Sequence, residues 1–256
     1  MYPFIQLTDS ISLPSYFLMI TLVYCLSIIY VLKRAARLKM DRNLALDISL
    51  AIMIGGFICA RLFHILYEKP HYYLKAPLEV LKFWNGGFVF YAGAIGAVLS
   101  GLVLLKIRKE KFRPWLDFYA PIGAFGYGLG RFACLLNGCC YGNHCDLPWN
   151  LDGRHPTPLY ASLWEFFILA VLVIFERRKS NLFFKGLRQP GELFFLWIGL
   201  HAIGHILMET FRADDRGAEP LGMSISTWIS IGLITFSVAG TVKVSKKLKA
   251  KNSHLG

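Results

Sequence analysis

Residues 13–32 read LPSYFLMITLVYCLSIIYVL, and the chain continues KRAARLKMDR through residue 42. An uncharged run of 20 residues is the length that a helix rising about 1.5 Å per residue needs to cross the roughly 30 Å hydrocarbon core of a bilayer. Hydrocarbon offers no partners to backbone N–H and C=O groups, so such a run must close its hydrogen bonds internally and is predicted to be a helix. The basic cluster that follows marks the cytoplasmic end of the span.

The same alternation of apolar run and basic cluster organises the rest of the chain. Apolar stretches lie at residues 13–32, 45–67, 88–107, 115–136, 159–175, 193–211 and 223–242. The fourth and sixth carry polar residues and are the weakest of the seven. Four clusters, Lys33/Arg34/Arg37/Lys39/Arg42, Lys106/Arg108/Lys109/Lys111/Arg113, Arg177/Arg178/Lys179/Lys185/Arg188 and Lys243/Lys246/Lys247/Lys249/Lys251, hold 20 of the 28 Lys and Arg residues. In a seven-span count all four fall on one face, which is the cytoplasmic face. The expected fold is therefore an all-α integral membrane protein of about seven transmembrane helices in a single domain. Its N-terminus is outside, its C-terminus cytoplasmic, and its external loops are 68–87, 138–158 and 213–222. The opening MYPFIQLTDS lacks a basic region, so the first span is read as retained and not cleaved.

Composition supports this reading. With 256 residues, 55% hydrophobic and 17% charged, and a mean hydropathy of +0.47, a soluble globule would be coated in apolar surface. A formal charge of +12 suggests nucleic acid, but basic residues confined to clusters between apolar runs are topogenic, and no nucleic-acid partner is expected.

Eight basic residues lie outside the clusters. Lys69, Lys75 and Lys82 belong to the aromatic and Pro-containing segment KPHYYLKAPLEVLKFW, which suits an interfacial element on the headgroups. Arg61, Arg131, Arg154, Arg212 and Arg216 sit in or just beyond the outer ends of spans. A bare charge in hydrocarbon costs several kcal/mol, so each must be paired, hydrated or bound to an anion.

The fourth stretch ends in PIGAFGYGLGRFACLLNGCCYG. Gly123, Gly126, Gly128 and Gly130 are expected to open one helix face to a neighbouring helix or a lipid. Arg131 then offers a planar fork suited to a phosphate ester, and Asn137 and Gly138 begin an external loop whose amides serve the same headgroup. The bland alternative is glycine-mediated packing with Arg131 paired to an internal carboxylate. In FLWIGLHAIGHILMETFRADDRG, His201, His205, Glu209 and Arg212 recur at intervals of four and three, one stripe that must face the protein interior. Glu209 is placed to orient Arg212 or Arg131, and His201 and His205 are candidate proton carriers; the alternative is a stripe of interhelical glue. WNGGFVFYAGAIG sets Tyr91 between glycines in the outer half of its span, as a hydrogen-bond donor or a weaker proton acceptor. HPTPLY, with Arg154 beside it, is a Pro-constrained start to the fifth span.

Taken in order, GFICARL around Arg61, WNGGFVFYAGAIG around Tyr91, GLGRFACLLNG around Arg131, RHPTPLY around His155 and METFR ending at Arg212 resemble the prolipoprotein diacylglyceryl transferase family across nearly the whole chain. The resemblance implies a multi-pass enzyme of the bacterial inner membrane with its site toward the outer leaflet. It implies transfer of a diacylglyceryl group from phosphatidylglycerol to the lipobox cysteine thiol of a prolipoprotein, with release of glycerol phosphate and no cofactor. By position Arg131 matches the family's phospholipid-binding arginine and Arg212 a second essential arginine; Tyr16 matches a tyrosine at the lipid site, and Arg61 joins the lipid-binding set. The chain departs from the family pattern in Tyr91 where His is usual, Cys134 for Asn, Cys139 for Glu, and His201 and His205 for a Tyr and an Arg. His201 or His205 is therefore the expected replacement for the missing His. The departures keep two other readings open: a paralogue with another acceptor, and a non-catalytic lipid-binding or transport protein.

Cys25 and Cys59 lie in apolar runs and read as packing residues. Cys134, Cys139, Cys140 and Cys145 cluster near the external face with His144. An oxidising exterior favours a disulfide from Cys145 to Cys139 or Cys140; a metal site is the alternative, though the adjacent pair fits usual ligand spacings poorly, and no metal ligand is assigned. A covalent diacylglyceryl-cysteine intermediate is disfavoured because a thioether is a poor leaving group.

Overall fold

The computed structural model describes residues 4–8, 11–83, 86–177, 189–213 and 220–253. The basic residues Arg178, Lys179, Lys185 and Arg188, together with Arg216 in the 213–222 loop, lie outside this set. All seven apolar stretches fold as long α-helices: α1 (Ser15–Leu38), α2 (Arg42–Phe63), α4 (Phe90–Ile107), α5 (Phe112–Asn137), α6 (Thr157–Arg177), α7 (Glu192–Glu209) and α8 (Ile225–Ser253). A short α3 (Pro70–Lys75) lies in the loop after α2. Six of the long helices are apolar enough to cross a membrane; α5, with its internal Pro121 and its polar residues, is the seventh. One element departs from the expected all-helical pattern. Phe4–Thr8 (β1) and Ile11–Pro14 (β2) pair as an antiparallel hairpin ahead of α1, Ile5 opposite Leu13.

Contacts along the chain divide it into two compact units, Tyr30–Phe112 and Met1–Ile29 with Arg113–Gly256. In the smaller unit α2 packs on α4 through small residues. A Cβ added at Gly93 would lie 3.1 Å from Ala60 Cβ, and one at Gly56 would lie 3.3 Å from Ala97 Cβ. Backbones this close need no large side chains between them, the usual solution for helices that gain nothing by hiding from lipid. Ser100 Oγ donates across the seam to the Ala51 carbonyl at 2.7 Å, and Arg108 pairs with Asp47 at 2.7 Å. Beyond α2, a π-helical turn (His64–Glu68), α3 and a 3-10 turn (Pro77–Leu81) leave Leu66, Leu74, Leu78 and Leu81 at least 70% exposed, an apolar surface suited to the bilayer interface.

In the larger unit Ala120 and Ala124 of α5 and Ile168 and Leu172 of α6 are fully buried and pack against Trp164, Trp197 and Leu200. The glycines of α5 serve several neighbours and not one face. Trp197 fills the space beside Gly123, Ser27 of α1 lies opposite Gly126, Glu165 and Phe166 of α6 abut Gly128, and Gly130 is open. Gly204 of α7 accommodates the Trp164 indole, which donates to the Leu200 carbonyl at 3.0 Å. Ser237 of α8 ties that helix to α7 through the Phe195 carbonyl at 2.6 Å.

The start of α7 is capped by another helix. Its first amides have no intrahelical acceptors, and Asp117 of α5 takes Gly191 N at 2.7 Å and Phe194 N at 3.0 Å. A carboxylate here also answers the positive end of the helix dipole. Asp117→Ala is expected to lower stability by about 1 kcal/mol, with Asp117→Asn retaining part of the loss; unfolding curves in detergent micelles check this.

Candidate functional site

The polar stripe of α7 lines a small cavity with residues of α5, α6 and the loop between them. Arg131 and Tyr127 come from α5, Glu165 and Trp164 from α6, His201, His205 and Glu209 from α7, and Arg212, Cys140 and Thr157 from the connecting segments. Five of the expected catalytic residues, Arg131, His201, His205, Glu209 and Arg212, therefore share one space.

Arg131 lies over the Tyr127 ring, Cζ 4.4 Å from its centroid, a cation–π contact that steadies the charge without consuming its N–H donors. Its Nε is buried and has no hydrogen-bond partner among the described residues, so a donor remains available to an acceptor in the cavity. Tyr127 also meets the His201 ring edge-on at 4.7 Å. His201 Nδ1 hydrogen-bonds Glu165 Oε1, while the other carboxylate oxygen lies 3.4 Å from Trp197 Nε1. Glu165 is 1% exposed. It is the residue that sequence reasoning missed: one acid in an otherwise apolar run, with no periodic signal, yet its burial demanded a partner. His205 Nδ1 is buried with no hydrogen-bond partner among the described residues. Glu209 accepts from Ser224 ahead of α8.

Arg212 is held differently from the expected helical stripe. Helix α7 ends at Glu209, Thr210 and Phe211 form a turn in which Phe211 N donates to the Met208 carbonyl and Arg212 N to the Glu209 carbonyl, and Arg212 pairs antiparallel with Gly142 in an isolated bridge. Asn143 N donates to the Phe211 carbonyl at 2.8 Å, and Gly142 N and His155 N bind across the other side at 3.0 Å each. Gly142 is thus wedged between two strands, where a Cβ would stand 2.6 Å from both His155 Cβ and the Phe211 oxygen. His155 and Tyr160 close the same corner, Nδ1 to hydroxyl 3.2 Å, with Trp149 donating to that hydroxyl at 2.8 Å. Arg154 lies over the Tyr141 ring at 4.6 Å.

The remaining expected site residues fall elsewhere. Tyr16, in the first turn of α1, is 36% exposed and within electrostatic reach of Arg131 and of Cys134, Cys139 and Cys140. Asn137 is the exposed last residue of α5, and Gly138, at φ +73°, turns the chain; neither lines the cavity. Tyr91 begins α4 in the smaller unit, its ring edge-on to Phe90. Arg61 is also in that unit and is 7% exposed. Its two terminal guanidinium nitrogens donate to the carbonyls of Gly86, Gly87, Glu79, Val80 and Lys82 and so hold the external loop, while its buried Nε has no hydrogen-bond partner among the described residues.

The cysteines form no disulfide. All six thiols are free, and Cys145 is buried, where it accepts Leu147 N at 3.4 Å. The Sγ atoms of Cys134, Cys139 and Cys140 lie within 4.8 Å of one another, a group of thiol ligands that the sequence reading did not assign. Helix α5 ends with Cys139 N donating to the Cys134 carbonyl at 3.2 Å, which folds the loop back over its last turn. The Cys140 thiol is held well below the usual thiol range, chiefly by sulfur hydrogen bonds with Cys134 and then Cys139. Burial opposes this, and the guanidinium charges of Arg212 and Arg131 add to it.

Comparison with known proteins yields a consistent set of relatives. A family profile described as prolipoprotein diacylglyceryl transferase matches residues 3–243. Proteins named phosphatidylglycerol--prolipoprotein diacylglyceryl transferase are similar along most of their length. The one from Clostridioides difficile is 29% identical over 222 residues, 85% of each chain; that from Finegoldia magna is 30% identical over 239 residues, 91% of this chain and 92% of its own; that from Paracidovorax citrulli is 33% identical over 207 residues, 75% of this chain and 73% of its own.

The Gly142 wedge carries a structural expectation. Gly142→Val forces the two strands apart and releases residues 211–213, which should appear as faster amide exchange there, with the α5–α6–α7 helices still protected. Unchanged exchange would contradict the pairing of Arg212 with the loop.

Proposed function

The chain belongs to the prolipoprotein diacylglyceryl transferase family, and we propose that it moves the diacylglyceryl group of phosphatidylglycerol to the lipobox cysteine of a prolipoprotein. The observation that carries this reading is the pair of guanidiniums, Arg131 and Arg212, lining one cavity with a buried Nε still available. The acceptor thiolate attacks the glyceryl carbon that bears the phosphate ester. The carbon–oxygen bond breaks, its electrons stay on the phosphate, and glycerol phosphate leaves with one more negative charge than the diester carried. Two preorganised cations at that phosphate stabilise the charge as it develops, which lowers the barrier more than it tightens the ground state.

In this reading the Glu165–His201 pair positions Tyr127 and through it Arg131, so His201 acts on orientation. His205 is the group that receives the acceptor's proton. Arg61 shapes the external loop, and Tyr91, Tyr16, Asn137 and Gly138 contribute by contact with the lipid or peptide. The clusters of basic residues support a topology with the N-terminus outside and the cavity toward the outer leaflet of a bacterial inner membrane. That is the side on which exported prolipoproteins present their cysteine.

Two assays test the function. Expression should restore lipoprotein modification in a transferase-depleted bacterium, and purified protein should transfer lipid from phosphatidylglycerol vesicles to a lipobox peptide. Arg131→Ala and Arg212→Ala should each reduce transfer by about 100-fold or more, with helix content retained by circular dichroism. Near-normal transfer by both variants would refute the phosphate clamp.

A further inference from the structure

Three thiols gathered beside two arginines are not explained by phosphate binding. We propose that Cys134, Cys139 and Cys140 bind one soft divalent cation of the zinc type and leave its fourth position open to the acceptor's thiolate. The proposal rests on the transferase reading and names how that site takes hold of its second substrate.

The geometry favours a metal. A tetrahedral centre with metal–sulfur bonds of about 2.3 Å has sulfur–sulfur edges of about 3.8 Å. Cys139 and Cys140 Sγ are 3.7 Å apart, and Cys134 Sγ completes a triangle within 4.8 Å. The chain is bent to make that triangle. Gly138 and Cys140 both adopt left-handed backbone, φ +73° and +61°, which is uncommon for a residue with a side chain and persists where the surroundings enforce it. Thr157, 3% exposed, enforces it by donating to the Cys140 carbonyl. Three residues supply ligands, which leaves a tetrahedral ion one position open, and Cys140 lines the cavity that holds Arg131 and Arg212. Three thiolates around a divalent cation carry a net negative charge that those guanidiniums offset.

Sites with three protein ligands and an open position are the catalytic form of zinc. Here the incoming cysteine loses its proton as its sulfur joins the metal, and His205, which lines the same cavity, accepts that proton. The bound sulfur attacks the glyceryl carbon; the carbon–sulfur bond forms as the carbon–oxygen bond breaks toward phosphate. The product is a neutral thioether, a weak ligand that leaves the metal, and no oxidant or reductant is required.

The test uses the full chain, reduced and purified in detergent. Zinc should be retained at one ion per chain, and cobalt(II) in its place should give thiolate charge-transfer and tetrahedral d–d bands. A lipobox peptide with Cys should shift the d–d bands, and the same peptide with Ser should not. Cys139→Ser combined with Cys140→Ser should abolish both bands, and chelation should lower transfer by about tenfold or more. Absence of bands, equal maleimide labelling of the three cysteines with and without zinc, or recovery of the cluster as a disulfide would overturn the proposal. If chelated protein transfers lipid at the full rate while Arg131→Ala does not, the metal role falls and the transferase reading stands. If the bands form and respond to the peptide but no lipid is transferred, the metal site stands and the transferase reading falls.

Discussion

Glu165, 1% exposed in the middle of α6, is the constraint around which α5, α6 and α7 are arranged. An ionised carboxylate cannot stay in an apolar helix interface alone, because desolvation costs far more than packing returns. Its two oxygens face His201 and Trp197 on α7, which fixes the rotation of α7 about its own axis. Once that rotation is fixed, residues four and eight places further along the same helix, His205 and Glu209, face the same space. The carboxylate therefore sets which face of α7 becomes the site before any substrate is considered.

A second level of order comes from the loop after α5. The Gly142–Arg212 pairing makes the end of α7 an edge for residues 141–144, and the same loop delivers Cys140 to the cavity. Arg131 on a helix and Arg212 in a bridge to the loop thus owe their spacing to unlike structures. Loop-borne functional groups held by a rigid frame are common in enzymes, and here one of the two cations belongs to each.

Most of the fold was legible because hydrocarbon imposes a simple rule. Apolar runs near twenty residues must be helices, and each of the seven stretches folded as one, the first and last helices continuing past their expected ends into the basic clusters, to Leu38 and Ser253. The α7 stripe was legible for the same reason: His201, His205 and Glu209 have helical spacing and nowhere else to go. What the sequence concealed was non-local. Glu165 finds its partner 36 residues away, and Arg212 lies beyond the end of the helix and pairs with the loop residue Gly142. Cys145 was the expected disulfide partner because external thiols oxidise, yet the turn at Gly138 brings Cys134 to the pair instead. Nor did the sequence announce that the carbonyls of residues 79–87 gather around the Arg61 guanidinium. Nothing in the pattern of Phe4 to Pro14 announced a hairpin, since two short strands carry little periodic signal.

The composition of α5 has a consequence for how the protein is made. Its glycines admit Trp197, Ser27 and the Glu165 and Phe166 side chains of α6, and its Asp117 and Arg131 serve neighbours and cavity, so the features that make it the hub of the larger unit strip it of partition energy. A nascent α5 emerging alone has less reason to leave the translocation channel than any other long helix of the chain. It gains its place when α6 and α7 follow and supply the indoles and the carboxylate it was shaped to receive. Biogenesis of this protein is thus cooperative at its centre, with the segment nearest the chemistry the last to settle in the lipid.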